Sequence, residues 1–223
     1  MARFSTPREV FFFLTHPRFW FRRHLRIEEM LEDPLAQFHV WYDQIERSSL
    51  LEFPNGMCLS TVGEDGYPQG RMVLMKECDS EGVIFYTNSN SQKGKALELT
   101  PRASVTFYWG AFQRQVRFEG DVELLESSSS DAYFASRPRR SQLGAWASAQ
   151  SEPIESREVL EKRVAELETE YVHKPIPRPP YWNGYRLTPR MVEFWQLGLN
   201  RLHDRIRYVR THDGCWKKER LSP

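Results

Sequence analysis

The chain has 223 residues, of which 40% are hydrophobic and 27% are charged, and this balance excludes a wholly disordered protein. It carries 31 Lys and Arg against 30 Asp and Glu, for a net charge of +1. That charge excludes the basic excess expected of a general nucleic-acid-binding surface. Aromatic residues make up 13% of the chain, which favours large packing surfaces or a site for a flat ligand.

The three cysteines and the amino-terminal residues indicate the cellular compartment and the domain organisation. Cys58, Cys78 and Cys215 are too sparse for a disulfide framework or a zinc site, which favours the cytoplasm. The apolar run at 10–14 is far shorter than the roughly 20 residues of a membrane span, so we expect no membrane association. We predict an irregular amino-terminal arm over 1–32, with an organellar transit peptide as the alternative, and a single domain over 33–223.

The first half of the chain predicts one helix followed by strands. Asp33 and Pro34 form a helix-start signal, and apolar residues recur at helical spacing over 34–48. Ser91 can cap a short helix that ends near residue 99. Alternating patterns predict strands over 57–62, 70–77, 83–87, 103–109 and 115–125.

The second half predicts helices and then further strands. Helical segments are expected over 131–136, over 141–149 and from Ser156 onwards, and the four prolines between 175 and 180 predict an extended connector. Strands are predicted over 184–187, 192–197, 205–210 and in a last segment ending at 221. Strands on both sides of a helical middle predict an α+β fold with an antiparallel β-barrel.

Basic and amide residues at the ends of the predicted strands are the candidate site residues. The sequence has no nucleotide-binding loop, zinc-protease motif or hydrolase elbow, and we expect no metal. In an extended strand Arg71, Val73 and Met75 share one face, while Met72, Leu74 and Lys76 share the other. Two cations at the ends of this strand can hold an anion, but a half-buried strand with solvated ends explains the pattern better.

Three further clusters fit anionic or aromatic ligands. Tyr86 and Thr87 precede the predicted helix start at 91–95, where free N–H groups suit phosphate, and a plain capped helix is the equal alternative. An arginine-rich segment at 133–141 offers guanidinium groups to phosphate, although a basic surface loop explains it better. In an extended segment Arg201, His203 and Arg205 would project to one side and could hold an electron-rich ring, and a purely structural histidine is the equal alternative.

In this order the motifs closely resemble the pyridoxamine 5′-phosphate oxidase family, also called pyridoxine 5′-phosphate oxidase. The resemblance is collinear from about 33 to 223. It rests on the segments Arg71-Met72-Val73-Leu74-Met75-Lys76, Phe85-Tyr86-Thr87-Asn88, Arg114-Gln115-Val116-Arg117, Tyr133-Phe134-Ala135-Ser136-Arg137-Pro138, Ser141-Gln142-Leu143-Gly144-Ala145, Glu193-Phe194-Trp195-Gln196, Arg201-Leu202-His203-Asp204-Arg205 and Glu219-Arg220-Leu221-Ser222-Pro223.

The resemblance implies a split β-barrel homodimer with FMN at the subunit interface. It implies oxidation of pyridoxamine or pyridoxine 5′-phosphate to pyridoxal 5′-phosphate while O₂ is reduced to hydrogen peroxide. It places FMN against Arg71, Met72, Val73, Leu74, Met75, Lys76, Tyr86, Thr87, Gln92, Lys93, Gln115, Gln150, Ser151, Trp195 and Arg205. It places the substrate phosphate against Lys76, Tyr133, Arg137 and Ser141, and the substrate ring against Arg201 and His203 as catalytic residues.

Two features depart from the family pattern. Family members usually carry arginine immediately before Lys93, whereas this chain has Gln92, so one charge partner of the flavin phosphate is expected to be missing. A related flavin oxidase of phenazine biosynthesis resembles this chain at that position. Residues 1–32 lack the family's usual basic segment with a tyrosine. The alternatives are a split-barrel flavin oxidase for another small aromatic substrate and a non-catalytic protein that binds flavin or pyridoxal phosphate.

Overall fold

The computed structural model describes residues 24–223. Its strands are β1 (Gly56–Val62), β2 (Pro68–Leu74), β3 (Glu77–Cys78), β4 (Val83–Asn88), β5 (Arg102–Trp109), β6 (Arg114–Leu124), β7 (Trp182–Gln196), β8 (Asp204–Arg210) and β9 (Trp216–Arg220). Its helices are α1 (Pro34–Ser48), α2 (Gln92–Leu99), α3 (Ser127–Ser136), α4 (Arg139–Ala147) and α5 (Arg157–Glu170). Short 3₁₀ turns cover Ile27–Glu29, Gly110–Phe112 and Leu199–Arg201.

The nine strands described within residues 24–223 belong to one antiparallel sheet. The strand order is β2-β1-β5-β6-β7-β4-β3, and β8 and β9 extend the sheet from the second half of β7. Apolar side chains on the inner face of the sheet, including Phe107, Phe118 and Phe194, pack under α1, whose Phe38 is fully buried among them. The predicted α+β class with an antiparallel barrel sheet is confirmed.

The predicted start signals of two helices are confirmed. The Asp33 carboxylate accepts hydrogen bonds from the backbone N–H groups of Leu35 and Ala36, both at 3.1 Å, so α1 begins where the sequence predicts. Ser91 Oγ accepts from Gly94 N at 3.4 Å at the start of α2. The absence of a side chain at Gly94 matters here, because a Cβ would lie 2.2 Å from the carbonyl oxygen of Ser89.

Two predicted strands merge into one. The segments 184–187 and 192–197 form a single strand, β7, whose first half pairs with β4 and whose second half pairs with β8. Pro189 lies in β7 opposite Gly120, where the pairing register of β6 shifts. A proline is tolerated in a strand at such an irregularity, so the prediction of a break there was wrong.

The predicted strand 70–77 is two strands. β2 ends at Leu74, after which Met75 N donates to Asn55 O at 2.9 Å and Lys76 N donates to Ile84 O at 2.8 Å. The chain therefore leaves β1 and joins β4, where Glu77 and Cys78 form β3. The burial still follows the predicted alternation: Arg71, Val73 and Met75 are half-buried or buried, whereas Met72, Leu74 and Lys76 are exposed, although Met75 and Lys76 lie outside any strand.

The last residues of the predicted arm contact the sheet. Leu25 N donates to the Asp204 carboxylate at 2.9 Å, and the Tyr208 hydroxyl donates to Leu31 O at 2.8 Å. Residues 1–23 of the predicted arm lie outside the described residues, and so does the alternative prediction of a transit peptide. None of the helices described within 24–223 has the length and apolar character needed to cross a membrane. That same part of the chain holds no cluster of metal-ligating side chains.

Candidate active site

A buried lysine brings together three distant segments. Lys93 is 8% exposed at the start of α2, and its Nζ donates to Ser91 Oγ at 3.2 Å and to Gln150 Oε1 at 2.9 Å. Thr87 Oγ1, at the end of β4, donates to the same Gln150 oxygen at 3.3 Å. We call Thr87, Ser91, Lys93 and Gln150 the lysine cluster. Burial, and next the charge of Arg71, lowers the pKa of Lys93 to about 8.

Arg71 adds a second cation beside the lysine cluster. Its guanidinium donates to Leu59 O at 3.3 Å, to Thr61 Oγ1 at 2.8 Å and to Gln69 Oε1 at 3.2 Å, all of them uncharged groups. Burial lowers the pKa of Arg71 below its ordinary value. Within residues 24–223 no carboxylate lies within ion-pair distance of either Arg71 or Lys93. Two adjacent cations without a counter-charge form a site for an anion.

The start of α2 is held against the loop that carries Gln150. Gln92 N donates to Ser151 Oγ at 3.3 Å, and Lys95 Nζ lies 3.5 Å from a carboxylate oxygen of Glu152. The Gln92 side chain is exposed, so this residue contributes a backbone contact to the arrangement. Thr87, Lys93, Gln150 and Ser151 were all predicted to contact one ligand, and the structure brings them together.

Three aromatic rings stack beside the lysine cluster. Tyr86 lies next to Thr87 on β4, and its ring centroid is 4.2 Å from that of Tyr133 and 5.2 Å from that of Trp182. Tyr133 and Trp182 are 5.9 Å apart, and the three rings lie within 25° of parallel. We call Tyr86, Tyr133 and Trp182 the ring stack. Gly184 makes room for it, because a Cβ there would lie 2.6 Å from the Tyr86 ring.

Cations flank the ring stack on two sides. Lys76 Nζ lies 5.7 Å from the centre of the Tyr133 ring, and the Arg137 guanidinium lies 4.7 Å from the centre of the Trp182 ring. Arg137 Nη1 is buried and has no hydrogen-bond partner in the described part of the chain, and burial lowers the pKa of Arg137. Ser141, half-buried in the first turn of α4, follows closely in sequence. An unsatisfied buried N–H of a guanidinium fits a phosphate oxygen.

A third group of predicted residues lies along β6, β7 and β8 and in the turn that precedes β8. We call Gln115, Trp195, Arg201, His203 and Arg205 the third group. Gln115 on β6, Trp195 on β7 and Arg205 on β8 are cross-strand neighbours. The Trp195 ring lies 4.8 Å from the ring of His203, whose Nδ1 accepts a hydrogen bond from Gly198 N at 3.2 Å. A neutral His203 with that acceptor carries its proton on Nε2.

The two arginines of this third group differ in environment. Arg205 makes a bidentate pair with Glu193, with Nε 2.7 Å and Nη2 3.2 Å from the carboxylate oxygens, and this pair raises the pKa of Arg205. Arg201 is exposed in a 3₁₀ turn with a φ of 63°, and β8 begins only at Asp204. The segment is not extended there, so the prediction that alternation aligns Arg201 with His203 and Arg205 was wrong.

The third group is separated from the other two within one chain. Asn183 of β7 pairs with Thr87, whereas Trp195 pairs with Gln115 at the opposite end of the same strand. The two positions are about 40 Å apart along an extended strand. The structure therefore assembles the lysine cluster and the ring stack side by side, and places Trp195 and His203 elsewhere on the same sheet.

Sequence reasoning missed Trp182 as a site residue. It is 7% exposed and forms the part of the ring stack that contacts Arg137. The available signal was an aromatic pair, Tyr181 and Trp182, between the proline-rich connector and the strand predicted from Gly184. That pattern also fits an ordinary core residue, and only the tertiary contacts distinguish the two.

Known proteins are similar to this chain in sequence. The family described as pyridoxamine 5′-phosphate oxidase matches residues 44–171, and the pyridoxine 5′-phosphate oxidase C-terminal dimerisation region matches residues 182–223. A pyridoxine/pyridoxamine 5′-phosphate oxidase from Rubrobacter xylanophilus is 52% identical over 86% of this chain and 87% of its own. A protein of the same name from Synechocystis is 49% identical over 87% of this chain and 90% of its own.

Solved structures confirm the predicted split-barrel fold. PhzG from Burkholderia lata, in complex with tetrahydrophenazine-1-carboxylic acid, superposes with a TM-score of 0.82 at 33% identity and covers 88% of this chain and 95% of its own. A pyridoxamine 5′-phosphate oxidase-related, FMN-binding protein from Nostoc punctiforme has a TM-score of 0.69 at 20% identity, over 87% of this chain and all of its own, which supports the fold alone. From these matches over most of its length, the chain belongs to the pyridoxamine 5′-phosphate oxidase family.

Proposed function

We propose that this protein is an FMN-dependent oxidase of pyridoxamine and pyridoxine 5′-phosphates, acting in the cytoplasm in vitamin B6 salvage. The observation that supports this proposal is a pair of neighbouring cationic clusters. Their cations are half-buried or buried, and none has a carboxylate partner in the described part of the chain. One contains Arg71 and Lys93, and the other contains Arg137. Two phosphorylated ligands, a cofactor and a substrate, would satisfy them.

The lysine cluster and Arg71 fit the phosphate of FMN. Lys93 and Arg71 would supply positive charge, and Thr87 and Ser151 would supply hydroxyl donors. The flavin ring would lie along the segment from Arg71 to Lys76. When bound, FMN supplies the redox chemistry, taking two electrons from the substrate and passing them to O₂.

The ring stack and its cations fit the substrate phosphate. Lys76 and Arg137 would pair with its oxygens, and the hydroxyls of Tyr133 and Ser141 would donate hydrogen bonds. In the overall reaction pyridoxine 5′-phosphate and O₂ give pyridoxal 5′-phosphate and H₂O₂. The amine substrate additionally consumes water and releases ammonia.

A second copy of the chain would complete the site. Trp195, His203 and Arg201 lie at the far end of β7 from the lysine cluster, so one chain cannot place them over the same ligand. The match of residues 182–223 to a dimerisation region supports a homodimer. A two-fold partner would bring its third group to this chain's cationic clusters, with FMN at the interface.

In this arrangement the third group acts on the substrate ring. His203 would present its Nε2–H and Arg201 its guanidinium to the pyridine, holding it in place and stabilising negative charge while two electrons leave the reacting carbon. Arg201 is exposed and has no carboxylate at ion-pair distance within residues 24–223, so its charge is available to a ligand.

The proposal is tested with the purified full chain. We expect the yellow colour of a bound oxidised flavin, and peroxide release with pyridoxine or pyridoxamine 5′-phosphate. Flavin-loaded protein that releases no peroxide with either substrate would contradict the proposed activity. Protein that fails to bind added FMN would contradict the cofactor as well.

The likeness to PhzG favours a second candidate, an oxidase of another small aromatic compound. A substrate that lacks a phosphate would leave Lys76 and Arg137 without a partner, which makes this candidate weaker. Peroxide release with a non-phosphorylated cyclic carboxylic acid, and none with either B6 phosphate, would favour it. If neither the carboxylic acid nor the B6 phosphates react, the result would favour a flavin-binding protein without catalytic activity.

A further inference from the structure

Within residues 24–223, the Arg137 guanidinium makes no hydrogen bond that fixes its orientation, and its Nη1 is buried without a partner. Its described side-chain contacts are with two aromatic rings, Trp182 at 4.7 Å and Phe134 at 5.7 Å from the guanidinium carbon. An arginine side chain must lose rotamer entropy before it can act as a fixed phosphate clamp. The aromatic contacts are therefore what holds the guanidinium before a ligand arrives.

Trp182 is itself rigidly held. It is buried at the first position of β7, its ring stacks on Tyr86 and Tyr133, and the edge of Phe134 packs against it at 5.2 Å. Its backbone N–H donates to Pro179 O at 3.0 Å. A ring fixed on several sides can serve as a platform on which a mobile guanidinium is oriented.

We propose that Trp182 is a positioning residue for substrate recognition, which holds Arg137 so that its free Nη1 meets the substrate phosphate. The inference rests on the proposed function and deepens it. Trp182 touches neither phosphate nor reacting atoms in this scheme, and it acts only through Arg137. Its effect should therefore appear for ligands that carry a phosphate and vanish for those that do not.

The test measures binding to the flavin-loaded protein. Dissociation constants are determined for pyridoxal 5′-phosphate and for pyridoxal, which differ only by the phosphate, with wild type, Trp182→Phe and Trp182→Leu. Loss of a cation–ring contact predicts roughly 3- to 20-fold weaker binding of the phosphate for Trp182→Leu, with Trp182→Phe between it and wild type. Pyridoxal binding is expected to change less than 2-fold by the same reasoning.

A double-mutant cycle with Arg137→Ala separates positioning from packing. If Trp182 acts through Arg137, Trp182→Phe has no further effect on pyridoxal 5′-phosphate binding once Arg137 is alanine. The matched control is Trp216→Leu on β9, a half-buried tryptophan whose ring lies 5.8 Å from the Arg210 guanidinium. It removes the same kind of contact away from the site and is expected to leave both constants unchanged.

Each outcome decides the inference. Equal weakening for pyridoxal and its phosphate, or an undiminished Trp182→Phe effect in the Arg137→Ala protein, would overturn it. If Trp182→Leu does not fold, the cycle with Trp182→Phe still decides. Absence of peroxide release in wild type would refute the proposed activity. The role of Trp182 would still be decided by the binding constants, because these are measured without turnover.

Discussion

Replacing Lys93 by methionine should move stability and cofactor affinity in opposite directions. Lys93 is buried beside Arg71, and its described polar partners, Ser91 and Gln150, carry no charge. Burial lowers its pKa from the ordinary 10.5 to about 8. The folded protein therefore holds an ammonium group in a place that disfavours it until an anion binds.

The magnitude follows from the lowered pKa. Each pKa unit corresponds to about 1.4 kcal/mol, so the change from 10.5 to about 8 sets an upper limit of roughly 3 kcal/mol on the cost to folding. Remaining contact with water, and the hydrogen bonds that methionine cannot make, reduce the expected net gain to about 1 kcal/mol. We expect Lys93→Met to stabilise the FMN-free protein at pH 7 by that amount.

The pH dependence has a definite sign. Below pH 8 Lys93 is protonated in the folded and unfolded states, and its full cost is present. Between pH 8 and 10.5 the folded state releases its proton first, so wild-type stability rises with pH relative to Lys93→Met. Chemical denaturation of the FMN-free proteins across this window measures the difference.

Cofactor affinity is expected to respond in the opposite sense. Loss of a charge-assisted bond of about 1.5–3 kcal/mol predicts a 10- to 150-fold higher Kd for FMN in Lys93→Met. In wild type the Kd should rise above pH 8, by up to about tenfold per pH unit, because binding then requires proton uptake. Lys93→Met should lose that rise.

Fluorescence titration of FMN between about pH 6.5 and 9.5 measures both effects, since a phosphate monoester is a dianion above its second pKa near 6. Lys95→Met is the matched control: the same substitution in the same helix, at an exposed lysine paired with Glu152 on the surface. An unchanged FMN Kd in Lys93→Met, or the same pH profile in both proteins, would refute the assignment of the lysine cluster to the flavin phosphate.

Three further substitutions test other parts of the molecule. Gly184→Ala places a Cβ 2.6 Å from the Tyr86 ring, so we expect about 1–3 kcal/mol lower stability and weaker binding of phosphorylated substrate, and unchanged thermal stability would contradict this packing. Asp204→Asn weakens the hydrogen bond to Leu25 N and should lower the free energy of unfolding by about 1–3 kcal/mol. It should also speed proteolysis before residue 33, and an unchanged rate of proteolysis would exclude this anchoring role. Arg201→Ala should keep FMN and lose about 100-fold in kcat/KM for peroxide release, and normal turnover would remove Arg201 from the catalytic scheme.

Local signals in the sequence predicted most of the secondary structure. Asp33 and Ser91 act as caps because capping chemistry involves only a few adjacent residues. The break expected around Pro189 was wrong because the tolerance of that proline depends on Gly120, which lies far away in sequence on the neighbouring strand. Strand continuity is a property of the pair of strands, so one strand's sequence cannot establish it.

The resemblance predicted which residues belong to the candidate site, and the structure shows how these residues are grouped. The resemblance named Lys93, Gln150 and Thr87, and the structure adds that all three share one amide oxygen. It could not show that, in the described part of the chain, Arg71 and Lys93 lack carboxylate partners whereas Arg205 is paired with a buried glutamate. Counter-charge depends on tertiary neighbours, and counter-charge decides which cations are free to hold a ligand.

Under the proposed function, β4 would lie between the two phosphorylated ligands. Thr87 belongs to the lysine cluster and Tyr86 belongs to the ring stack, and consecutive residues of a strand point to opposite faces. Two dianions would therefore be separated by the strand, each with its own cations, which limits their mutual repulsion. Gln92 fits this arrangement: its side chain is exposed while its N–H bonds to Ser151, so Arg71 and Lys93 are the cations that residues 24–223 would offer to the flavin phosphate. With so few charges on that side, loss of Lys93 should weaken FMN binding more than loss of any single hydroxyl donor in the cluster, and Thr87→Val compared with Lys93→Met measures this ranking.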